Sequence, residues 1–288
     1  MDLVLKFTRS PSVPLSLRRL VGKLFVKKSP EQYRLKIGQR EYIGRRDNYI
    51  EWLVYVTGDY FEYTYLNLLR RLFSGGVALD VGANVGNHSL AFSEIFDSVH
   101  SFEPFPLVAK RLAEKTVATG KVTVNQMALG ETNGTAHFIP PATDNLGTGR
   151  ISESGGIEVR IARGDDFVAT NLQGKINFIK IDVEGHEVPV LRGLRETIAR
   201  DRPGVMFEVA RDLQADGARG LLDCFKLFPE DYQFACMKGQ STFPLQKSTA
   251  DAWAAGRESL GVSGRITYVL AYGPERGFRL DGTTLTRS

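Results

Sequence analysis

Cysteine is nearly absent: 288 residues hold two, Cys224 and Cys236. Two thiols in apolar surroundings, without metal-ligand spacing, exclude a disulfide framework and a cysteine-built metal site. They read as reduced core thiols of a cytoplasmic protein. Long apolar runs are also missing. No stretch reaches the roughly 18 residues that a membrane-spanning helix needs. The first residues carry charges and prolines where a secretion signal requires an unbroken apolar core. Internal repeats are lacking. What remains is an ordinary globular composition, 42% hydrophobic and 24% charged, with room for one large domain or a domain with an extension.

The charge is unevenly spread. Residues 1–46 hold 12 Lys/Arg against three acids, a net +9, whereas the whole chain is +4. The remaining residues are therefore net acidic. Leu15, Leu17, Leu20, Val21, Leu24, Phe25 and Val26 are interleaved with this basic charge. A basic amphipathic helix of this kind can make a peripheral contact with an anionic membrane, here through residues 1–28 and at the inner membrane face, or with an acidic partner. The reading preferred on sequence alone is a solvated flanking helix that packs its apolar side on its own domain. A boundary near residue 58 separates this extension (1–58) from a larger domain (59–288).

The most informative segment is Val77-Ala78-Leu79-Asp80-Val81-Gly82-Ala83-Asn84-Val85-Gly86. A short apolar run ends in an acid and opens into a glycine turn before a helical pattern. This is the strand–loop–helix unit that lays a nucleotide-like cofactor over strand ends. Dinucleotide turns read G-x-G-x-x-G and place a pyrophosphate on helix N–H groups. Here the middle glycine is Asn84, and Asp80 precedes Gly82. An acid suits the cationic amino-acid end of S-adenosylmethionine (SAM), directly or through water. Glu103 ends the next strand about 20 residues on, where an acid accepts ribose hydroxyls. Pro104 closes that strand and Phe105 offers a ring beside an adenine. Ala128 belongs to a third strand end that can contact the base. NAD would use Glu103 equally well, so an NAD-dependent oxidoreductase is the alternative class; the missing third glycine opposes it.

Beyond this turn, apolar strands alternate with helices, which implies a parallel sheet covered on both faces. Strands are expected at 77–81, 98–102, 121–126, 176–181, 204–208, 232–237 and 266–271, the last two as an antiparallel edge pair. Helices are expected at 15–27, 61–73, 88–95, 107–116, 165–171, 187–200 and 217–227. A small hairpin is expected at 33–43, and extra strands at 135–139 and 157–161 flank a Gly/Ser/Thr-rich loop at 142–156.

The second strong feature is Lys180-Ile181-Asp182-Val183-Glu184-Gly185-His186-Glu187. Polar groups crowd in where a doubly wound sheet places its site, at the carboxyl ends of strands. They cannot all be core residues, because burying unpaired charge is too costly. Asp182 or His186 can take a proton from a hydroxyl. The carboxylates and the histidine can alternatively hold Mg²⁺, which is not the favoured reading. Glu187 fits a helix N-terminus. Glu208 ends the next strand and can face the same crevice. Asn145, in the polar loop, can contact substrate or form an Asx turn.

Asp80-Val-Gly-Ala-Asn-Val-Gly86, Phe102-Glu-Pro104, the 180–187 block and Phe207-Glu208, in that order, resemble the FkbM-type SAM-dependent methyltransferases. The likeness covers roughly residues 60–210, and its most specific element is Ile181-Asp-Val-Glu-Gly185. The resemblance implies the class I methyltransferase fold, a Rossmann-like seven-stranded doubly wound sheet with a reversed final hairpin. It implies O-methylation of a sugar or other small hydroxylated acceptor. It also implies cofactor contacts at Asp80, Gly82, Asn84, Gly86 and Glu103. Asp182, Glu184 and His186 match its signature block, with Glu184 assigned here to the acceptor. The basic extension lies outside the shared part. A nucleic-acid partner is not expected, because the positive charge is confined to one arm and the Asn/Asp-Pro-Pro-Tyr/Phe block of many amino-methylating enzymes is absent. A non-catalytic SAM-binding protein is a further alternative that the polar block opposes.

Overall fold

The computed structural model describes residues 2–141, 146–208, 224–238, 241–245, 268–281 and 284–287. The N-terminal part comprises α1 (Asp2–Thr8), α2 (Leu15–Phe25), β1 (Gln32–Ile37), β2 (Arg40–Arg45), α3 (Tyr49–Thr57) and α4 (Tyr63–Leu72). The core follows with β3 (Val77–Val81), α5 (Asn87–Phe92), β4 (Ser98–Phe102), α6 (Pro106–Thr116) and β5 (Val122–Asn125). Next come β6 (Ala128–Gly130), β7 (Gly134–Ile139), β8 (Arg150–Ser152), β9 (Ile157–Arg163) and α7 (Gly164–Asn171). The rest is β10 (Ile176–Ile181), α8 (Glu187–Gly193), α9 (Arg195–Asp201), β11 (Gly204–Glu208), β12 (Gln233–Lys238), β13 (Ser241–Leu245), β14 (Tyr268–Tyr272), β15 (Phe278–Asp281) and β16 (Thr284–Arg287).

The main sheet has the order β13-β12-β14-β11-β10-β3-β4-β5. Strands β5, β4, β3, β10 and β11 are parallel, and β14 runs antiparallel to both of its neighbours, β11 and β12. Seven strands from β5 to β12 thus form the expected doubly wound sheet with a reversed strand. β13 adds an eighth at the edge, where the sequence showed only a polar, Pro-containing stretch. The central strands are continuous apolar runs because both faces are covered. On one face Leu79, Ile179, Ile181, Val205 and Phe207 pack with Val190, Leu191, Leu194 and Ile198 of α8 and α9. On the other, Ala78, Phe178, Met206 and Leu270 pack with α4 and α5 through Leu66, Leu69, Leu90 and Phe92.

Most expected elements lie within a residue or two of their places. The helix expected at 187–200 is broken at Leu194, whose φ of −106° and ψ of 10° leave the helical region. The helix expected at 217–227 falls largely outside the described residues. Helix α3 was not foreseen; Asn48 caps it by accepting the Glu51 N–H at 3.0 Å. It also bridges the boundary drawn at residue 58. Glu51 Oε1 lies 2.6 Å from Lys115 Nζ of α6, both side chains fully buried, and Lys115 also donates to the Tyr42 hydroxyl at 3.1 Å. A second, four-stranded sheet of order β6-β9-β7-β8 stands beside the carboxyl ends of the main sheet. It includes the two extra strands that the sequence suggested around the polar loop.

Candidate active site

Strand alternation assembles the site. Successive side chains point to opposite faces, so residues two apart share one. Lys180 and Asp182 therefore lie on one face of β10, and Met206 and Glu208 on the same face of β11. The register sets Lys180 opposite Asp80 and Met206, and Glu208 opposite Tyr268 of the reversed strand. Two polar rows result: Ser101, Asp80 and Lys180 below, and Asp182, Glu208 and Tyr268 above.

Lys180 holds the rows together. Its buried ammonium lies 3.4 Å from Asp80 Oδ1 and 3.2 Å from Asp182 Oδ2, and donates to the Gly82 carbonyl at 3.2 Å. Asp80 Oδ2 accepts from the Ser89 hydroxyl at 2.6 Å, which accepts from Ser101 at 2.9 Å. The Tyr268 hydroxyl lies within hydrogen-bond reach of Asp182 Oδ2 at 2.9 Å and Glu62 Oε2 at 3.1 Å. His88 Nε2 stands 3.3 Å from the same Glu62 oxygen. Glu62 occupies the left-handed region at φ 60°, a cost for a side chain with a Cβ that the surrounding contacts hold in place.

Burial and neighbours separate the two upper acids. Burial alone would raise the Asp182 carboxyl; Lys180, hydrogen bonds from Tyr268 and Glu208, and His88 instead pull it below the usual range. Burial, then the charge of Asp182, pushes Glu208 up to about 9. Near neutral pH the pair holds one proton, carried on Glu208 and directed at Asp182. Lys180 is raised: burial would lower it, but Asp182 and Asp80 favour its charge.

A cavity open to solvent lies between these strand ends and the second sheet. Gly82, Asn84, Glu103, Pro104, Ala128, Asp182, Glu184, His186 and Glu208, nine residues singled out from the sequence, line it. Gly82 (φ 76°) is required by close approach: a Cβ there would sit 1.8 Å from the Asp182 carbonyl oxygen. Glu103 is buried at the wall, and its two oxygens accept the N–H groups of Asn84 (3.0 Å) and Phe105 (2.9 Å). Burial raises its carboxyl to about 7, against those two hydrogen bonds. The His186 imidazole is lowered by burial, and its Nε2 has no hydrogen-bond partner. The residue lines the cavity, while Nε2 itself is buried and lies toward Gly130 of β6.

Three of the residues singled out from the sequence do not line the cavity. Asp80 is 0% exposed and is not among the cavity-lining residues. Its carboxylate is turned to Lys180 and Ser89. Gly86 does not line the cavity either; it packs toward Leu112 of α6. Phe105 is also off the wall, and stacks on Phe138, which lines it, with ring centres 5.8 Å apart. Asn145 lies outside the described residues. Glu187 takes the helix-terminus role: its Oε1 accepts the Val183 and Gly185 N–H groups and fastens the 183–187 turn.

Several wall residues escaped the sequence reading. Tyr49 and Ile50 of α3, Phe61, and Arg150 and Ile151 of β8 close the cavity. They come from the extension and from the loop after β7, far from the motifs, and no local pattern marks them. Oxygens of Asp182, Glu184 and Glu208 lie within 4.8 Å of one another. This is the described group able to hold a divalent cation, and it contains three carboxylates where the sequence had suggested two and a histidine.

The model of the methyltransferase FkbM domain matches residues 80–235, a span that starts at Asp80 and takes in both motif blocks and Glu208. The chain belongs to the FkbM methyltransferase family. Within it, the chain is similar to the hexuronic acid methyltransferase AglP of Haloferax volcanii, 33% identical over 132 residues, covering 46% of this chain and 55% of that one. It is also similar to the 2-O-methyltransferase NoeI of Sinorhizobium fredii, 27% identical, covering 44% and 60%. It thus spans little more than half the length of these curated relatives. An FkbM methyltransferase structure from Methylobacillus flagellatus overlaps 69% of this chain and 44% of its own, at 18% identity and a TM-score of 0.42. A Streptococcus mutans protein in complex with SAH overlaps 73% and 96%, at 12% identity and a TM-score of 0.41. Membership of the family rests on the FkbM domain match and the fold on the strand order, not on these overlaps.

Proposed function

We propose that this protein is a SAM-dependent O-methyltransferase acting on a hydroxyl of a sugar or glycan. The supporting observation is that one cavity wall carries the buried acceptor Glu103, beside the glycine turn, together with His186 and Asp182. Glu103 retains lone pairs beyond the two backbone bonds, which suits ribose hydroxyls. Gly82 and Asn84 leave room at the turn. SAM, when bound, supplies an electrophilic methyl on a sulfonium.

The chain's residues do the rest. The wall holds the acceptor oxygen in line with that methyl, and such positioning supplies much of the rate. His186 takes the hydroxyl proton. Asp182 is the poorer base, because Lys180, Tyr268 and Glu208 already stabilise its charge. Glu208, holding its proton, can donate to an acceptor oxygen or to Asp182. Arg150 is the cationic side chain among the described wall residues. It supports an acidic sugar as acceptor, in keeping with the hexuronic acid in the name of the Haloferax relative.

The test is calorimetric titration with S-adenosylhomocysteine, with NADH as control, followed by labelled SAM against a panel of uronic acids and neutral sugars. Binding of S-adenosylhomocysteine alone and label transfer to a uronic acid are expected. Binding of NADH would favour the oxidoreductase alternative, and S-adenosylhomocysteine binding without transfer to any acceptor a non-catalytic role.

A further inference from the structure

Helix α2 turns its apolar stripe outward, and α1 packs Val4 and Leu5 inward while leaving Leu3 and Phe7 exposed. Among the described residues, six of the eight exposed large hydrophobic side chains are Leu3, Phe7, Leu17, Leu20, Leu24 and Phe25. Leu3 is 82% exposed and Leu24 67%. Leu17, Leu20 and Leu24 follow the i, i+3, i+7 spacing of one helix face, and Leu3 and Phe7 share a face of α1. The inward side of α2 holds the residues usually found outside. The Arg18 guanidinium donates to the Thr8 carbonyl at 2.5 Å and to the Thr57 carbonyl at 2.6 Å. Gly22 lies so close to α3 that a Cβ there would come within 2.4 Å of a Val56 methyl. This fit fixes which way the helix faces. The preference for a flanking helix that packs its apolar side on its own domain is therefore overturned.

The charge around this face has one sign. Residues 1–28 contain seven Lys/Arg and one acid, Asp2. Arg9 and Arg18 are tied to backbone carbonyls, while Lys6, Lys23, Lys27 and Lys28 are exposed around the apolar stripe. We propose that α1 and α2 form a docking face for an anionic lipid bilayer. The leucines and phenylalanines enter the interfacial layer, and the lysines meet the negative surface. A second copy of this face would bring like charge onto like charge, whereas anionic lipid satisfies both features. α3 joins this face to the cavity: Trp52 Nε1 donates to the Val26 carbonyl at 3.0 Å, and Tyr49 and Ile50 line the cavity.

The experiment is co-sedimentation of the full chain with phosphatidylcholine vesicles, with and without phosphatidylglycerol. Binding is expected to the anionic vesicles and to fall about tenfold or more in L20D/L24D and, independently, in K23Q/K27Q. Both pairs are exposed, so circular dichroism and Tm should match the parent. Three results would overturn the proposal. One is no binding to anionic vesicles. Another is binding by both variants that equals the parent's. The third is self-association abolished by L20D/L24D without vesicle binding, which would make the face a contact between copies.

Discussion

Lys180 and Asp182 sit two residues apart on β10 and point to the same side, their ammonium and carboxylate 3.2 Å apart under a wall that methyl donor and acceptor would share. The same ammonium reaches Asp80 on the neighbouring strand. One buried cation therefore neutralises two acids, the buried Asp80 behind the glycine turn and the cavity-lining Asp182.

Removing that cation should be costly. Lys180→Met leaves the two carboxylates without their counter-charge, a loss of about 3–5 kcal/mol. Urea denaturation would measure it. Lys180→Met with Asp80→Asn should recover part of the loss, since one of the orphaned charges is gone. Equal stability of Lys180→Met and the parent would contradict the ion-pair geometry.

His186→Ala should lower kcat by about 10²–10⁴ and leave the Kd for S-adenosylhomocysteine nearly unchanged, as expected for loss of a general base. Steady-state kinetics and calorimetry separate the two. Weakened cofactor binding with intact kcat would remove His186 from the proton-transfer role.

Glu103 gives the cofactor site a pH dependence. Its carboxyl, raised to about 7 by burial, is protonated below that pH and ionised above it. Ribose hydroxyls donate better to the ionised form, so affinity should rise between pH 6 and 8. The ligand's own amine also titrates, and Glu103→Gln provides the control: the parent's excess pH dependence should vanish in the variant. Calorimetry at the two pH values checks it; identical profiles would rule out Glu103 as the group responsible.

Arg150→Met should raise KM for a carboxylated acceptor by about 10–100-fold, the value of a hydrogen bond to a charged group, and change KM for a neutral acceptor little. Initial rates with a uronic acid and its reduced, neutral counterpart make the comparison. Similar losses with both would mean that Arg150 shapes the wall without reading charge.

The sheet was legible because its signal is local. Val77–Val81 and Ile176–Ile181 are apolar runs bounded by turn residues, and any strand buried on both faces must look that way. Asp182, Glu208 and Glu103 were legible for the same reason: polar groups at the ends of such runs have nowhere to go but a crevice. Asp80 looked identical in sequence. What distinguishes it is Lys180 on the adjacent strand, a register relation that no single strand records. Tyr268 is further removed still, carried to Glu208 by antiparallel pairing across a long stretch of chain. Tyr49 and Arg150 reach the wall by packing of the extension and the second sheet. The orientation of α2 was misjudged because its leucine stripe predicts burial, whereas Gly22 and Arg18 decide it by close approach and by carbonyl partners on α1 and α3.

The position of β14 bears on how the molecule is made. This strand, late in the chain, is inserted between β11 and β12, both made earlier. Until it arrives, those two strands have no common neighbour, and Asp182 lacks the hydroxyl of Tyr268. During synthesis, therefore, the row of Asp182, Glu208 and Tyr268 stays incomplete until this late strand has paired with β11.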